Sequence, residues 1–142
     1  MPPTTLTALE NALRASWAAD TCSPDDLERW GWDGANPSRG HCDVTALILH
    51  DLFGGDLVLG DVHTADGAPQ GYHWWNRLGS GIEIDLTREQ FQAGEVVSGA
   101  RIVQRPPGPL KRRNDEYELL RRRVEDQLGE PLPRHDTAQA SV

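Results

Sequence analysis

The sequence predicts an α+β fold in which helices come first, an antiparallel meander follows and a last helix closes the chain. Three observations carry that prediction. Apolar residues recur at three- and four-residue steps before residue 55 and again after residue 113; the stretch between them switches to short, alternating segments; and turn residues such as "DGAP" and "GSG" separate those segments. No internal repeat and no Gly-rich phosphate loop of the usual spacing occurs. A chain of 142 residues suits a single core, so one domain is expected over residues 1–128. Residues 129–142, "GEPLPRHDTAQASV", have the composition of a disordered tail.

The first helix is expected from Leu6, with Leu9, Leu13 and Trp17 on one face, and it stops before "DTCSPDD". Residues 21–40 hold Pro24, Pro37 and the string "WGWDGANPSRG", which predicts a structured loop with a short helix after Ser23 and with Trp30 and Trp32 as anchors. Ser38 is the expected cap of the next helix. Its apolar residues Val44, Ala46, Leu47, Ile48, Leu49, Leu52 and Phe53 cover most of the circumference, so it is a buried helix, ended by Gly54 and Gly55.

From there the period falls to two. "DLVLGDV" (56–62), "GYHWWNRL" (71–78) and "IEIDL" (82–86) read as strands, and Ile82, Ile84 and Leu86 share one face of the third. Thr87 with Gln90 is a capping-box pattern for a short helix through Gln92. "ARIVQ" (100–104) is the last expected strand, stopped by "RPPGP". The closing helix spans 114–128, with Tyr117, Leu120, Val124 and Leu128 as its stripe and "RRR" (121–123) as a solvated face.

Charge narrows the function classes. Lys and Arg number 14 against 22 Asp and Glu, a net of −8, which argues against nucleic acid or an anionic membrane surface as partner. No apolar run approaches the roughly 20 residues of a membrane span, and "MPPTTLTALENALRASW" lacks the pattern of a signal peptide, so the expected compartment is the cytoplasm. The two cysteines, Cys22 and Cys42, are then free thiols. Oligomeric state leaves no mark in the sequence.

Cys42 stands directly after a turn and directly before the buried helix, where backbone N–H groups and the helix dipole favour a thiolate. A thiol nucleophile also needs a base and a group to orient that base. His73 on the second strand and Asp85 on the third follow in order, and the turn "LGSG" pairs those strands so that the two become neighbours. Asn76 is a weaker orienter, because three residues along a strand it points to the face opposite His73. Tyr72, Trp74 and the Trp30/Trp32 pair are candidates to line a substrate cleft. Cys22, followed by acids, is a bystander. His41, Cys42 and Asp43 are adjacent and cannot converge on one ion, and neither HExxH nor CxxC occurs, so no metal and no cofactor is expected.

"NPSRGHCDVTALILHDLFGGDL", "HWWNRLGSGIEIDLTREQF" and "NDEYELLRRRV" together resemble the YunG-like family of small bacterial proteins over most of the chain. The arrangement also resembles the papain-like and NlpC/P60-like thiol enzymes. That resemblance implies a papain-like fold with Cys42 as nucleophile, His73 as base and Asp85 as orienter. Where the family pattern reads Gly-Gln-Cys, this chain has Gly40, His41 and Cys42. A Gln there would help bind an oxyanion; His41 is left as an imidazolium donor or a substrate contact, beside the backbone N–H of Cys42.

The expected activity is therefore that of a cysteine-dependent hydrolase or acyltransferase acting on an amide of a small molecule or peptide through an S-acyl intermediate on Cys42. The competing reading is a binding module that keeps the fold and holds a ligand or protein in the aromatic cleft without chemistry.

Overall fold

The computed structural model describes residues 4–91, 94–105 and 109–134. Among the described residues four α-helices and four strands follow one another in the expected order: α1 (Leu6–Ser16), α2 (Pro24–Trp30), α3 (Cys42–Phe53), β1 (Asp56–His63), β2 (Pro69–Arg77), β3 (Glu83–Ile84), β4 (Val96–Val103) and α4 (Asn114–Leu128). The sheet is antiparallel, in the order β3-β2-β1-β4. No helix among the described residues is long and apolar enough to cross a membrane.

The core lies between helices. Leu9, Leu13 and Trp17 of the first segment meet Val44, Ile48 and Leu49 of α3 and Tyr117, Leu120 and Val124 of α4. Thr5 caps α1 by accepting the Ala8 N–H at 3.1 Å, and Gly129 closes α4 in the left-handed conformation. The core sits against the sheet mainly through α3, whose Ala46 carbonyl accepts the Asn76 side-chain N–H from β2 at 2.9 Å.

Several expectations fail locally, each for a visible reason. Ser38 does not cap α3: it is buried with its hydroxyl unpartnered among the described residues, and His41 holds the cap position with its side chain turned inward. The third strand shrinks to two residues, since Leu78 N–H bonds the Ile82 carbonyl and makes Ile82 part of the turn, where it is exposed. The Thr87–Gln90 segment is a single 3-10 turn (Arg88–Gln90) without a side-chain cap, and Gln92 lies outside the described residues. The last strand starts at Val96, four residues earlier than expected; within "RPPGP", residues 106–108 lie outside the described residues.

At the far end, Arg121 is no solvated residue. It is buried at 2% exposure and gives hydrogen bonds to Asp51 and to the carbonyls of Leu132 and Pro133. Residues 130–134 consequently lie on the fold rather than in a tail, with Leu132 in the core. Residues 135–142 are outside the described residues.

Candidate active site

The site forms where the N-terminus of α3 meets the edge of β2. Strand β3 pairs with β2 only at Asn76 and Arg77, so the β2 edge is uncovered one turn of the pleat earlier, at Trp74. The Trp74 backbone N–H there hydrogen-bonds the Cys42 sulfur. Cys42 opens α3, and among the described residues no hydrogen bond uses its own backbone N–H. The left-handed turn at Gly40 (φ +78°) delivers the chain to that point, and a side chain there would strike the Cys22 sulfur.

His73 precedes Trp74 and projects to the opposite face of β2, where it is buried to 2% exposure. Its Nε2 lies 2.6 Å from Asp85 Oδ2. Trp75 stacks beside the imidazole at 5.6 Å between ring centres, and Phe91 meets it edge-on at 4.5 Å. Gly60 on β1 pairs with His73, and only a residue without a side chain leaves room there for the Trp75 ring. Asp85 is held in turn: its Oδ1 accepts the Thr87 N–H at 3.1 Å and the Thr87 hydroxyl at 3.3 Å.

His73 and Asp85 are thus joined directly, while Cys42 is joined to the residue next to His73. Among the described residues no hydrogen bond links the thiol to the imidazole. Nor is the thiol a resident thiolate. Burial pushes the Cys42 thiol well above its ordinary value, and Asp43, Asp26 and Asp85 push it the same way, against a single lowering hydrogen bond from Trp74. The expectation of a helix-start thiolate fails because the helix terminus contributes only about 0.3–1 kcal/mol, less than desolvation beside three carboxylates. Cys22 is buried, free and pushed up to about 11 by burial first and Asp26 second, as suits a bystander.

Three of the remaining sequence candidates lie elsewhere. His41 is completely buried; its Nδ1–H donates to the Arg39 carbonyl at 3.0 Å and its Nε2 takes the Thr21 hydroxyl at 2.7 Å. Burial depresses it to about 4, so at neutral pH it is an uncharged packing residue and no imidazolium donor. Asn76 is committed to α3 through the Ala46 carbonyl, and Trp32 to its own loop through the Pro37 carbonyl at 3.1 Å. Trp74 reaches the site through its backbone amide. With Tyr72, Leu47, Leu57, Leu110 and Arg112 its side chain lines a groove of about 520 Å³ that includes Asp43, next to Cys42, but not Cys42, His73 or Asp85 themselves, and Tyr72 also borders a small cavity of about 50 Å³ next to Gln90 and Phe91.

Two contributors escaped the sequence reading. Arg113 binds Asp43 at 3.0 Å, Glu116 at 2.9 Å and the Gly40 carbonyl at 2.9 Å, fastening the turn before Cys42 to the start of α4. Its left-handed backbone (φ 68°) is invisible in a run of basic residues. Gln90, which fits half of a capping pattern in the sequence, places its side-chain Nε2 3.1 Å from the Thr87 carbonyl and 3.4 Å from His73 Nδ1.

The family model described as YunG protein matches residues 5–129, most of the chain, and the chain belongs to that family. A relative from Bacillus subtilis (strain 168), described as "Uncharacterized protein YunG", is 35% identical over 81 residues, 57% of this chain. That alignment spans 58% of the relative's length. No solved structure matches the chain.

Proposed function

We propose that this YunG-family chain is a cysteine-dependent hydrolase or acyltransferase of papain-like type, acting on an amide or related acyl bond through an S-acyl intermediate on Cys42. The observation that carries the reading is the 2.6 Å bond between buried His73 and Asp85, formed beside the Trp74 amide that binds the Cys42 sulfur. A buried imidazole with one nitrogen held by a carboxylate has its other nitrogen, Nδ1, for proton transfer.

In this reading the neutral thiol is activated during attack. As sulfur bonds the carbonyl carbon, the thiol proton passes to His73 Nδ1 and the carbonyl electron pair moves to oxygen, which faces the Cys42 N–H at the start of α3. Re-forming the carbonyl breaks the C–N bond, and the proton on Nδ1 leaves with the amine. Water or a second amine then attacks the S-acyl carbon, delivers its proton through His73 and restores the thiol as the C–S bond breaks. The Trp74 and Tyr72 side of the groove suits a small amide with an apolar group.

The raised Cys42 thiol favours a second reading, a binding module that holds a ligand in the same groove without chemistry. Intact-mass analysis after incubation with p-nitrophenyl and thioester acyl donors separates the two. The enzyme reading expects one acyl group on Cys42, at a rate that falls about 10²–10⁴-fold in His73→Ala, the range of general-base catalysis. Acylation of Cys42 no faster than that of Cys22, or a rate indifferent to His73, overturns it and leaves the binding module.

A further inference from the structure

We infer that Gln90 is a positioning residue that, together with Asp85 at Nε2, keeps Nδ1 of His73 unprotonated as the base. The inference rests on the catalytic reading of His73 given above and names a residue that reading does not use.

The Thr87 carbonyl, 3.1 Å from the Gln90 side chain, can only accept, so the atom facing it is the amide nitrogen, and a flipped amide would set two oxygens against each other. The same nitrogen lies 3.4 Å from His73 Nδ1. An N–H directed at Nδ1 requires a lone pair there, which puts the ring proton on Nε2, where Asp85 Oδ2 receives it. Asp85 Oδ1 accepts in turn from the N–H and hydroxyl of Thr87. Asp85, Thr87, Gln90 and His73 therefore form a closed circuit, three of whose members lie within six residues of chain. Asn36 and Arg39 add an outer support by donating to the Gln90 backbone carbonyl at 3.1 and 3.2 Å.

The circuit has a consequence for the reaction. At 3.4 Å the Gln90 contact is long, so it yields readily when a thiol or substrate approaches Nδ1. Once Nδ1 is protonated it faces an amide N–H rather than an acceptor, which favours passing the proton on to the leaving amine. Gln90 thus supports the tautomer that Asp85 holds before the step and disfavours a persistent imidazolium after it.

Long-range ¹H–¹⁵N correlation of the His73 ring nitrogens over a pH titration tests this in the full chain. In the wild type the neutral ring should be the Nε2–H tautomer. Gln90→Met, similar in volume but without a donor, should keep the Nε2–H tautomer that Asp85 also holds and should raise the protonation midpoint of His73, because no amide N–H then faces Nδ1. Gln90→Glu, with a carboxylate at Nδ1, should raise the protonation midpoint of His73 by about 1–3 units, and the pH profile of Cys42 alkylation should move with it. A neutral Nδ1–H ring in the wild type overturns the inference without any variant, as does a midpoint identical in all three proteins. If Cys42 proves unreactive while the midpoint follows residue 90, the catalytic reading falls and the positioning of His73 stands. If Cys42 depends on His73 but the midpoint ignores residue 90, the reverse holds.

Discussion

At the C-terminal end of α3, Asp51 is buried between Arg105 and Arg121, each 2.7 Å away, and accepts the Tyr117 hydroxyl. At the N-terminal end of the same helix, Cys42 is half-buried and touches one backbone amide, and the next residue, Asp43, lines a groove. The C-terminal cluster carries more charge and deeper burial, which by themselves would suggest a reactive centre. Among the described residues, however, its guanidinium Nη1 and Nη2 groups are matched to acceptors while buried Arg121 Nε is not, and they tie α3 to α4 and to residues 132–133. The N-terminal end has groups left over: a thiol, the Cys42 N–H and His73 Nδ1 under a weak contact. What separates a structural polar cluster from a reactive one here is unspent bonding capacity rather than charge.

The largest effect that could break this contrast is at the buried cluster. Asp51→Ala leaves two guanidiniums without their shared carboxylate and should destabilise the chain by about 3–5 kcal/mol, measured by urea unfolding. A loss below about 1 kcal/mol would mean the cluster is not the structural end of the helix. Next comes acid stability. His41 ionises near its ordinary value when unfolded and at about 4 when folded, so the unfolded chain binds the extra proton first. Its contribution, about 3 kcal/mol from the size of the shift, is complete above pH 6.5 and is lost as pH falls towards 4. His41→Gln should flatten that limb of the stability curve; an unchanged limb would show that the ring titrates normally in the fold.

A smaller effect sharpens the contrast at the other end. Asp85→Ala should slow acylation of Cys42 by about 10²-fold, since the imidazole loses its orienting acceptor, with binding of an unreactive amide unchanged by calorimetry. An unchanged acylation rate would remove Asp85 from the site. The smallest effect is Cys42→Ala, which should alter unfolding stability by no more than about 1 kcal/mol while abolishing the acyl adduct. A larger loss would make Cys42 a packing residue.

How much of this was legible in the sequence differs by element. Helix α4 was found at its observed bounds because an apolar stripe and a following glycine both mark it. Cys42, His73 and Asp85 were selected in chain order, and the sheet brings the last two into contact because "LGSG" returns the chain beside β2. Lost were the features that depend on what lies across space. His41 looks like a site residue by position, yet Thr21, twenty residues earlier, draws it into the core. Arg121 looks solvated by its run of neighbours, yet Asp51 from another helix buries it. The thiolate expectation counted the helix end and missed the carboxylates gathered by folding. Gln90 matched a local capping pattern, so its contact with His73 had no signal of its own.

The most direct test of the account is the rate of Cys42 alkylation by iodoacetamide, resolved from Cys22 by peptide mass spectrometry, between pH 5 and 9 in the native protein and in His73→Ala. The account predicts that the neutral Cys42 thiol reacts with His73 as its base, so that His73→Ala lowers the Cys42 rate near neutral pH by about 10²-fold or more, as loss of a general base should, and leaves the Cys22 rate unchanged. A Cys42 rate untouched by the substitution would contradict it.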